Sequence, residues 1–309
     1  MPIKKQLYQS KLYFNLQVLA AQIVEGFITG IHRSPFHGFS SEFAAHKVYN
    51  NGESTKHIDW KLFARTDKLY TKKYEDETNL RCHIIIDNSA SMHYPKVKEF
   101  NVNSLNKIGF SVLASAALLQ LLKKQRDAIG LSIYSDKYDF YVGEKGSERH
   151  HHLLLHQLEN TLNSIPNTAD TNTVKYLHEI AENIHRRSLI VLFTDLFQYN
   201  TNKEALFSAL QHLKHNKHEV LLFHTLDEKT EVNFDFNNTP KSFVDVETNE
   251  KIDLHAHAVQ EAYQLKVKNY LQEIKLTCAQ YNIKYIPVDI NKNFNAILNT
   301  YLVERQRFK

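Results

Sequence analysis

The chain has 309 residues, a formal net charge of +4 at pH 7, 42% apolar residues and 23% charged residues. These are the values of an ordinary globular protein, so they exclude a disordered or fibrous chain, and the mild charge gives no argument for nucleic-acid binding. The two cysteines, Cys82 and Cys278, are too few for a disulfide framework, a zinc ribbon or an iron–sulfur cluster.

The first 80 residues predict a helix followed by an arm. Apolar residues recur at helical spacing over residues 7–31, and Gly30 is placed to end that helix. Residues 32–80 are irregular in pattern, polar and aromatic. We expect residues 1–80 to be an N-terminal helix and an arm packed on the domain that follows, not an independent domain.

Residues 81–309 alternate short apolar runs with amphipathic segments. The runs predict strands at 83–86, 129–134, 188–193, 219–224 and 284–288, with a hairpin extension at 139–142. The segments between them predict helices at 105–126, 153–162, 173–185, 203–215, 257–281 and 294–303. Residues 231–254 are expected to form a hairpin insertion, in which Val232, Phe234 and Phe236 alternate along the first strand. The alternation predicts an α/β fold, with a mostly parallel central sheet and helices on both faces.

Three further features exclude other classes of function. No run approaches the about 18 consecutive apolar residues of a membrane span, and no apolar export signal follows the N-terminus, so we expect a cytoplasmic protein. Acidic residues offset the basic and aromatic residues between 56 and 77, which argues against nucleic acid. His150–His152 has no second His or Cys motif nearby and is interpreted as the solvated start of a helix.

Polar side chains follow two of the predicted strands. Asp87, Ser89 and Ser91 come after the strand at 83–86, and Asp195 comes after the strand at 188–193. Open α/β sheets bind ligands beyond the carboxyl ends of their strands, so these groups should meet at one edge. Taken singly, each could equally cap a following helix.

The oxygen donors together favour a hard cation. Two carboxylates and three hydroxyls, with no His or Cys, suit Mg²⁺ or Mn²⁺, and both ions accept this set. The candidate ligands are Asp87, Ser89, Ser91, Thr171 and Asp195.

The pattern D-x-S-x-S after an apolar strand, with the loop Thr171 and the strand-end Asp195, resembles the metal-ion-dependent adhesion site (MIDAS) of a Rossmann-like von Willebrand factor type A domain. The resemblance implies that these residues hold Mg²⁺ and that a Glu or Asp of a partner protein completes the metal shell. Asp170 adds a carboxylate beside Thr171 where relatives often carry glycine.

The arm carries a second resemblance. The segment His57-Ile-Asp-Trp-Lys-Leu-Phe-Ala-Arg-Thr66, together with 38–43 and 49–53, resembles the signature of the DUF58 family. That family is often linked with MoxR-type AAA+ ATPases, which implies such an ATPase or its client as the partner. Weaker candidates for partner contact are Asn88, Asp170, Asp59, Trp60 and Arg65.

We therefore expect a non-catalytic, metal-dependent protein-interaction module. Two alternatives stay open. One is a metal-dependent, phosphatase-like hydrolase that uses Asp87 and Asp195. The other is a scaffold whose partner surface is the arm at 32–80, with an incidental metal.

Overall fold

A computed structural model describes residues 16–32, 46–48, 60–72, 80–97, 104–135, 138–163, 173–196, 203–237, 239–244 and 251–307. The described chain forms two compact units. One contains the first helix up to Phe27 and the residues from Leu80 on, and the other lies between Ile28 and Asn79.

Helices and strands alternate along the described chain. The helices are α1 Leu16–His32, α2 Trp60–Thr66, α3 Lys107–Lys124, α4 Glu148–Leu162, α5 Thr173–Asn183, α6 Lys203–Lys214, α7 Ala256–Gln280 and α8 Asn295–Arg307. The strands are β1 His46–Val48, β2 Tyr70–Lys72, β3 Arg81–Asp87, β4 Ala128–Tyr134, β5 Tyr138–Lys145, β6 Leu189–Thr194, β7 Glu219–Leu226, β8 Pro240–Val244, β9 Lys251–His255 and β10 Lys284–Asp289. Of these elements, β1, α2 and β2 belong to the smaller unit, and the other strands belong to the larger unit.

Six strands form the central sheet, in the order β10-β7-β6-β3-β4-β5. All neighbours are parallel except β5, which runs antiparallel to β4. The predicted α/β fold with a mostly parallel sheet is confirmed.

The core explains why the central elements form where they do. Every residue of β6 is buried, as expected of a parallel strand covered on both faces. Helix α3 is buried along almost its whole length, and the side chain of Asn106 caps its start by accepting from the Gly109 amide at 2.9 Å. In α1, Leu16, Ala20 and Val24 are fully buried at a spacing of four residues, which gives the apolar stripe of a packed helix. The part of the predicted helix that precedes residue 16 lies outside the described residues.

The hairpin insertion differs from its prediction. The segment predicted as its first strand begins in a π-helical turn, Glu228–Val232, and the hairpin pairs β8 with β9 instead. The ring of Phe234 packs 5.3 Å from Phe243 and 4.3 Å from Tyr263, centroid to centroid. The apolar spacing therefore reflects an aromatic cluster and not an alternating strand.

The histidine tract was also predicted wrongly. Helix α4 begins at Glu148, earlier than expected, because the Ser147 side chain caps it. His150 and His151 are consequently buried, and His150 Nε2 lies 2.7 Å from the Ile129 carbonyl oxygen. His150 and His151 therefore pack into the fold, whereas His152 is exposed, as predicted.

The smaller unit contains regular structure where an irregular arm was expected. Strands β1 and β2 pair antiparallel, and α2 covers part of the family-signature segment. Trp60 is 61% exposed and meets Phe63 edge to face at 6.1 Å. Asp59 lies outside the described residues, and the packing of the arm on the larger unit stays a prediction.

Strand β10 is one edge of the described sheet and carries Pro287 opposite His224 of β7. None of the described helices combines the length and apolar character needed to cross a bilayer.

Candidate functional site

The candidate site lies where the strand order changes direction. From β3 the chain adds β4 on one side, and it later returns to add β6 on the other side. The carboxyl ends of β3 and β6 therefore flank the crevice that doubly wound sheets use for ligands. Asp87 is the last residue of β3 and Asp195 follows β6, and both are buried.

The turn after β3 gathers its polar groups on one side. Asp87 Oδ1 accepts a hydrogen bond from the Ser89 amide at 3.0 Å. Ser89 and Ser91 then place their Oγ atoms 3.1 Å apart, at the start of the short 3-10 turn Ala90–His93. The D-x-S-x-S spacing thus converts a strand end into a compact group of oxygens.

The turn after β6 completes this group. Thr194 Oγ1 donates to Asp87 Oδ2 at 2.7 Å and accepts from the Leu196 amide at 3.1 Å. Leu196 has a φ of 52°, a left-handed conformation that costs a leucine roughly 1 kcal/mol. The turn holds Asp195 beside the end of β3.

A buried lysine reaches this group from the first residue of α3. Lys107 Nζ donates to Asp195 Oδ2 and to Glu231 Oε1, each at 2.7 Å. Glu231 belongs to the π-helical turn after β7, and its second oxygen accepts from the Asp227 amide at 2.8 Å. We call the cluster the strand-end site; it comprises Asp87, Ser89, Ser91, Lys107, Thr194, Asp195 and Glu231.

Burial and charge set the protonation of these groups. Burial, together with the neighbouring Asp195 carboxylate, raises the pKa of Asp87 to about 6, although hydrogen bonds from Thr194 and Ser89 partly oppose the shift. Burial alone would lower the pKa of Lys107, but the carboxylates of Asp195 and Glu231 outweigh it and raise that pKa. The site therefore holds a permanent ammonium beside a carboxyl that is protonated more easily than usual.

Two aromatic neighbours border the strand-end site. Burial lowers the pKa of His224 to about 4, so the imidazole is neutral at pH 7, and its Nε2 lies 2.9 Å from the Asp195 carbonyl oxygen. Tyr134 pairs with Asp87 in the β3–β4 register, and its buried hydroxyl lies close to the side chains of Asp87, Thr194 and Thr173. Burial and then the Asp87 charge raise the pKa of this phenol.

The predicted site residues have three different placements. Asp87, Ser89, Ser91 and Asp195 are brought together, whereas Asp59, Asp170 and Thr171 lie outside the described residues. Asn88 is buried, and its side chain contacts His93 and Asp139 at 3.0 and 3.3 Å. Trp60 and Arg65 belong to the smaller unit, in α2.

Sequence reasoning missed Lys107, Thr194 and Glu231. A lysine that opens an otherwise buried helix was the available signal for Lys107, since a cation is unfavourable at a helix N-terminus without a partner. For Glu231 the available signal was its place in the acidic segment after β7, because residues that follow a strand of an open α/β sheet are candidates for a site.

A second polar cluster crosses the sheet and has the contacts of a hydrolytic triad. His83 Nε2 lies 2.7 Å from Ser132 Oγ, and its Nδ1 lies 2.7 Å from Glu144 Oε1. We call these three residues the imidazole network. His83 and Ser132 are fully buried in strands, so the hydroxyl has no surface from which to attack a substrate.

The strand-end site fits a hard cation in donor type and spacing. Cis oxygens around octahedral Mg²⁺ are about 2.9 Å apart for Mg–O bonds of about 2.05 Å, and the Ser89 and Ser91 oxygens are 3.1 Å apart. Asp195 already binds one cation, the Lys107 ammonium. Within the described residues no group of three or more His, Cys, Asp and Glu side chains is arranged for a metal, so the hydroxyls would have to supply ligands.

The fold and this site define an α/β protein with an oxygen-rich cluster at its switch point. The chain belongs to the DUF58 family, described as "Protein of unknown function DUF58", whose model matches residues 45–272. This confirms the predicted family membership.

The similar proteins place the chain among uncharacterized relatives. Uncharacterized proteins of Mycobacterium tuberculosis and Mycobacterium bovis are each 22% identical over 214 residues, which cover 69% of this chain and 64% of theirs. The chain thus spans less than two thirds of the length of these relatives.

Two solved structures are similar at low identity. The conserved hypothetical protein BatB of Bacteroides thetaiotaomicron is 12% identical, with a TM-score of 0.42, over 74% of this chain and 100% of that one. An aerotolerance-related membrane protein of Bacteroides fragilis is 15% identical, with a TM-score of 0.46, over 74% of this chain and 99% of that one.

Proposed function

We propose that this protein is a non-catalytic, metal-dependent protein-interaction module with a von Willebrand factor type A-like domain. Asp87, Ser89, Ser91, Thr171 and Asp195 would hold Mg²⁺ or Mn²⁺. A Glu or Asp from a partner protein would complete the metal shell.

One observation carries the proposal. Two buried carboxylates and a pair of serine hydroxyls meet at the carboxyl ends of β3 and β6, where the strand order changes direction. Hydroxyls and carboxylates are ligands that hard cations prefer, and two carboxylates close together repel unless a cation or proton lies between them.

A bound divalent ion would supply positive charge at this edge, and the residues of this chain would orient it. Asp87 is held by the Ser89 amide and by Thr194, so its carboxylate has a fixed direction. Asp195 is held beside the end of β3 by the turn that follows β6. The partner we propose is a MoxR-type AAA+ ATPase or its client, with the protein acting in the assembly or maturation of another complex.

The test measures metal binding first. Isothermal titration of Mg²⁺ into the metal-free protein should give a saturable signal that weakens at least about tenfold in Ser89→Ala/Ser91→Ala. The matched control is Ser111→Ala/Ser115→Ala, which removes two buried hydroxyls from α3 and should bind as the parent does. Equal Mg²⁺ binding by both double variants would overturn the site.

The second part of the test measures recognition. The purified MoxR-type ATPase from the same cell should be retained by the parent protein in Mg²⁺ and lost in EDTA or with Ser89→Ala/Ser91→Ala. Retention in all three conditions would contradict metal-bridged recognition and would move the interface to another surface, such as the arm.

A further inference from the structure

We propose that the Lys107 ammonium competes with the divalent ion for Asp195 and that Glu231 is the carboxylate to which Lys107 withdraws when metal binds. This inference rests on the proposed function. It adds a built-in control of metal affinity that needs no group from outside the chain.

The contacts of Lys107 are those of a cation shared between two acceptors. Its Nζ lies 2.7 Å from Asp195 Oδ2 and 2.7 Å from Glu231 Oε1, and its side chain is only 2% exposed. Asp195 is one of the five proposed metal ligands, whereas Glu231 is not. The same ammonium is therefore bound at once to a ligand of the metal and to a carboxylate outside the ligand set.

The two acceptors differ in their surroundings. The Asp195 side chain is 4% exposed and that of Glu231 is 27% exposed. Glu231 lies on a short π-helical turn, and its second oxygen is already anchored by the Asp227 amide. A lysine side chain has four rotatable bonds and can transfer most of its interaction to Glu231 while Asp195 turns to a metal.

The Lys107 ammonium and a divalent ion oppose each other's binding to Asp195. Two positive charges on one buried carboxylate repel, and water does not screen them well at this depth. Binding of a divalent ion by Asp195 must therefore weaken its bond to Lys107. Glu231 lowers the free-energy cost of that change because the ammonium keeps one full partner.

The experiment compares Mg²⁺ affinities in a double-mutant cycle. Lys107→Met should bind Mg²⁺ at least about tenfold more tightly than the parent. A charge beside a buried carboxylate changes the affinity of that carboxylate for a cation by about tenfold or more. Glu231→Gln should bind about tenfold more weakly, because Lys107 then relies on Asp195. The matched control Lys123→Met removes a lysine at the other end of α3, whose partner Glu148 is 70% exposed, and should bind like the parent.

The combined variant separates competition from a general effect of charge. In Lys107→Met/Glu231→Gln, the loss of Glu231 should no longer weaken binding, because it acts through Lys107. If Glu231→Gln weakens binding equally in both backgrounds, or if Lys107→Met binds Mg²⁺ as the parent does, the competition is overturned. Thermal unfolding in EDTA identifies any variant that fails to fold, and Glu231→Gln, at a partly exposed position, keeps the test informative in that case.

The two proposals fail in distinguishable ways. Serine-dependent Mg²⁺ binding that ignores Lys107 would leave the proposed function intact and reject the competition. Binding only in Lys107→Met would support the competition but would contradict the Mg²⁺ binding proposed for the parent protein. Binding that ignores Ser89 and Ser91, or no binding in any variant, would overturn both.

Discussion

Two buried polar clusters lie in the same sheet, and they differ in how completely their charges are matched. In the imidazole network, both ring nitrogens of His83 have partners at 2.7 Å, and Gly130 clears the space for the ring. In the strand-end site, the three carboxyl groups of Asp87, Asp195 and Glu231 share one lysine, Lys107. The excess of carboxyl groups over cations in the strand-end site supports the cation binding that we propose there, and the imidazole network has no such excess.

The largest expected difference concerns loss of a charge. Lys107→Met in EDTA should lower the free energy of unfolding by about 3–5 kcal/mol, because it leaves buried carboxylates without their cation. Lys123→Met should lower it far less, since the partner of Lys123, Glu148, is 70% exposed. Urea unfolding followed by circular dichroism measures both, and equal losses would contradict the special role of Lys107.

The pH dependence of stability should have opposite signs in the two clusters. Folding raises the pKa of Asp87 from 3.8 to about 6, so its contribution is fully present below pH 4 and is lost as pH rises through 6. The loss is on the order of 3 kcal/mol, because one pKa unit is worth about 1.4 kcal/mol. For Glu144, burial alone would raise the pKa, but the hydrogen bond and charge of His83 lower it overall. The contribution of Glu144 is therefore present above its unfolded pKa of 4.5 and is lost as pH falls further.

Unfolding titrations in EDTA at several pH values separate the two effects. Asp87→Asn should remove the pH dependence of the unfolding free energy between pH 4 and 6. Glu144→Gln should remove it only below pH 4.5. If Asp87→Asn leaves the slope between pH 4 and 6 unchanged, the pKa of Asp87 is not raised in the folded protein.

A packing change should affect the imidazole network alone. At Gly130 an added Cβ would lie 2.4 Å from His83 Nδ1 and 3.0 Å from the Val142 carbonyl oxygen, so Gly130→Ala should cost about 1–3 kcal/mol. Gly143→Ala is the matched control because nothing lies within 4 Å of its Cβ, and it should change stability by less than about 1 kcal/mol. Mg²⁺ affinity should be unchanged in both folded variants; a weakened affinity in Gly130→Ala would link the clusters.

The smallest expected effects on stability come from removing one serine hydroxyl in each cluster. Ser132→Ala removes a partner of His83 and should cost about 1–2 kcal/mol without altering the rise in melting temperature produced by Mg²⁺. Ser91→Ala loses one hydroxyl contact and should cost about 1 kcal/mol or less, but the Mg²⁺-induced rise should largely disappear. Differential scanning calorimetry with and without Mg²⁺ measures both values. A Mg²⁺-induced rise that is lost in Ser132→Ala but kept in Ser91→Ala would contradict the proposed site.

The sequence predicted local features well where the periodicity of one segment decided them. The strand at 83–86, the central helix at 105–126 and the D-x-S-x-S turn follow from short-range patterns, and the structure has β3, α3 and that turn. The ion pairs at Lys107 depend on residues 88 and 124 positions away, which no local pattern indicates.

The hairpin insertion shows that alternating apolar residues can come from an aromatic cluster as well as from a strand. Phe234 and Phe236 alternate as in a strand, but they pack with Phe243 and Tyr263 in an aromatic cluster. The preceding turn instead presents Glu231 to Lys107. Tertiary contacts outweighed strand propensity in this segment.

Pro287 in β10 has a consequence for self-association. An edge strand offers unpaired amide and carbonyl groups that can recruit a strand from another molecule and start aggregation. A proline within that strand has no N–H to donate, and natural edge strands use this device to interrupt such pairing. The exposed Pro287 therefore makes β10 a poor template for intermolecular sheet extension, which protects this end of the sheet at high protein concentration.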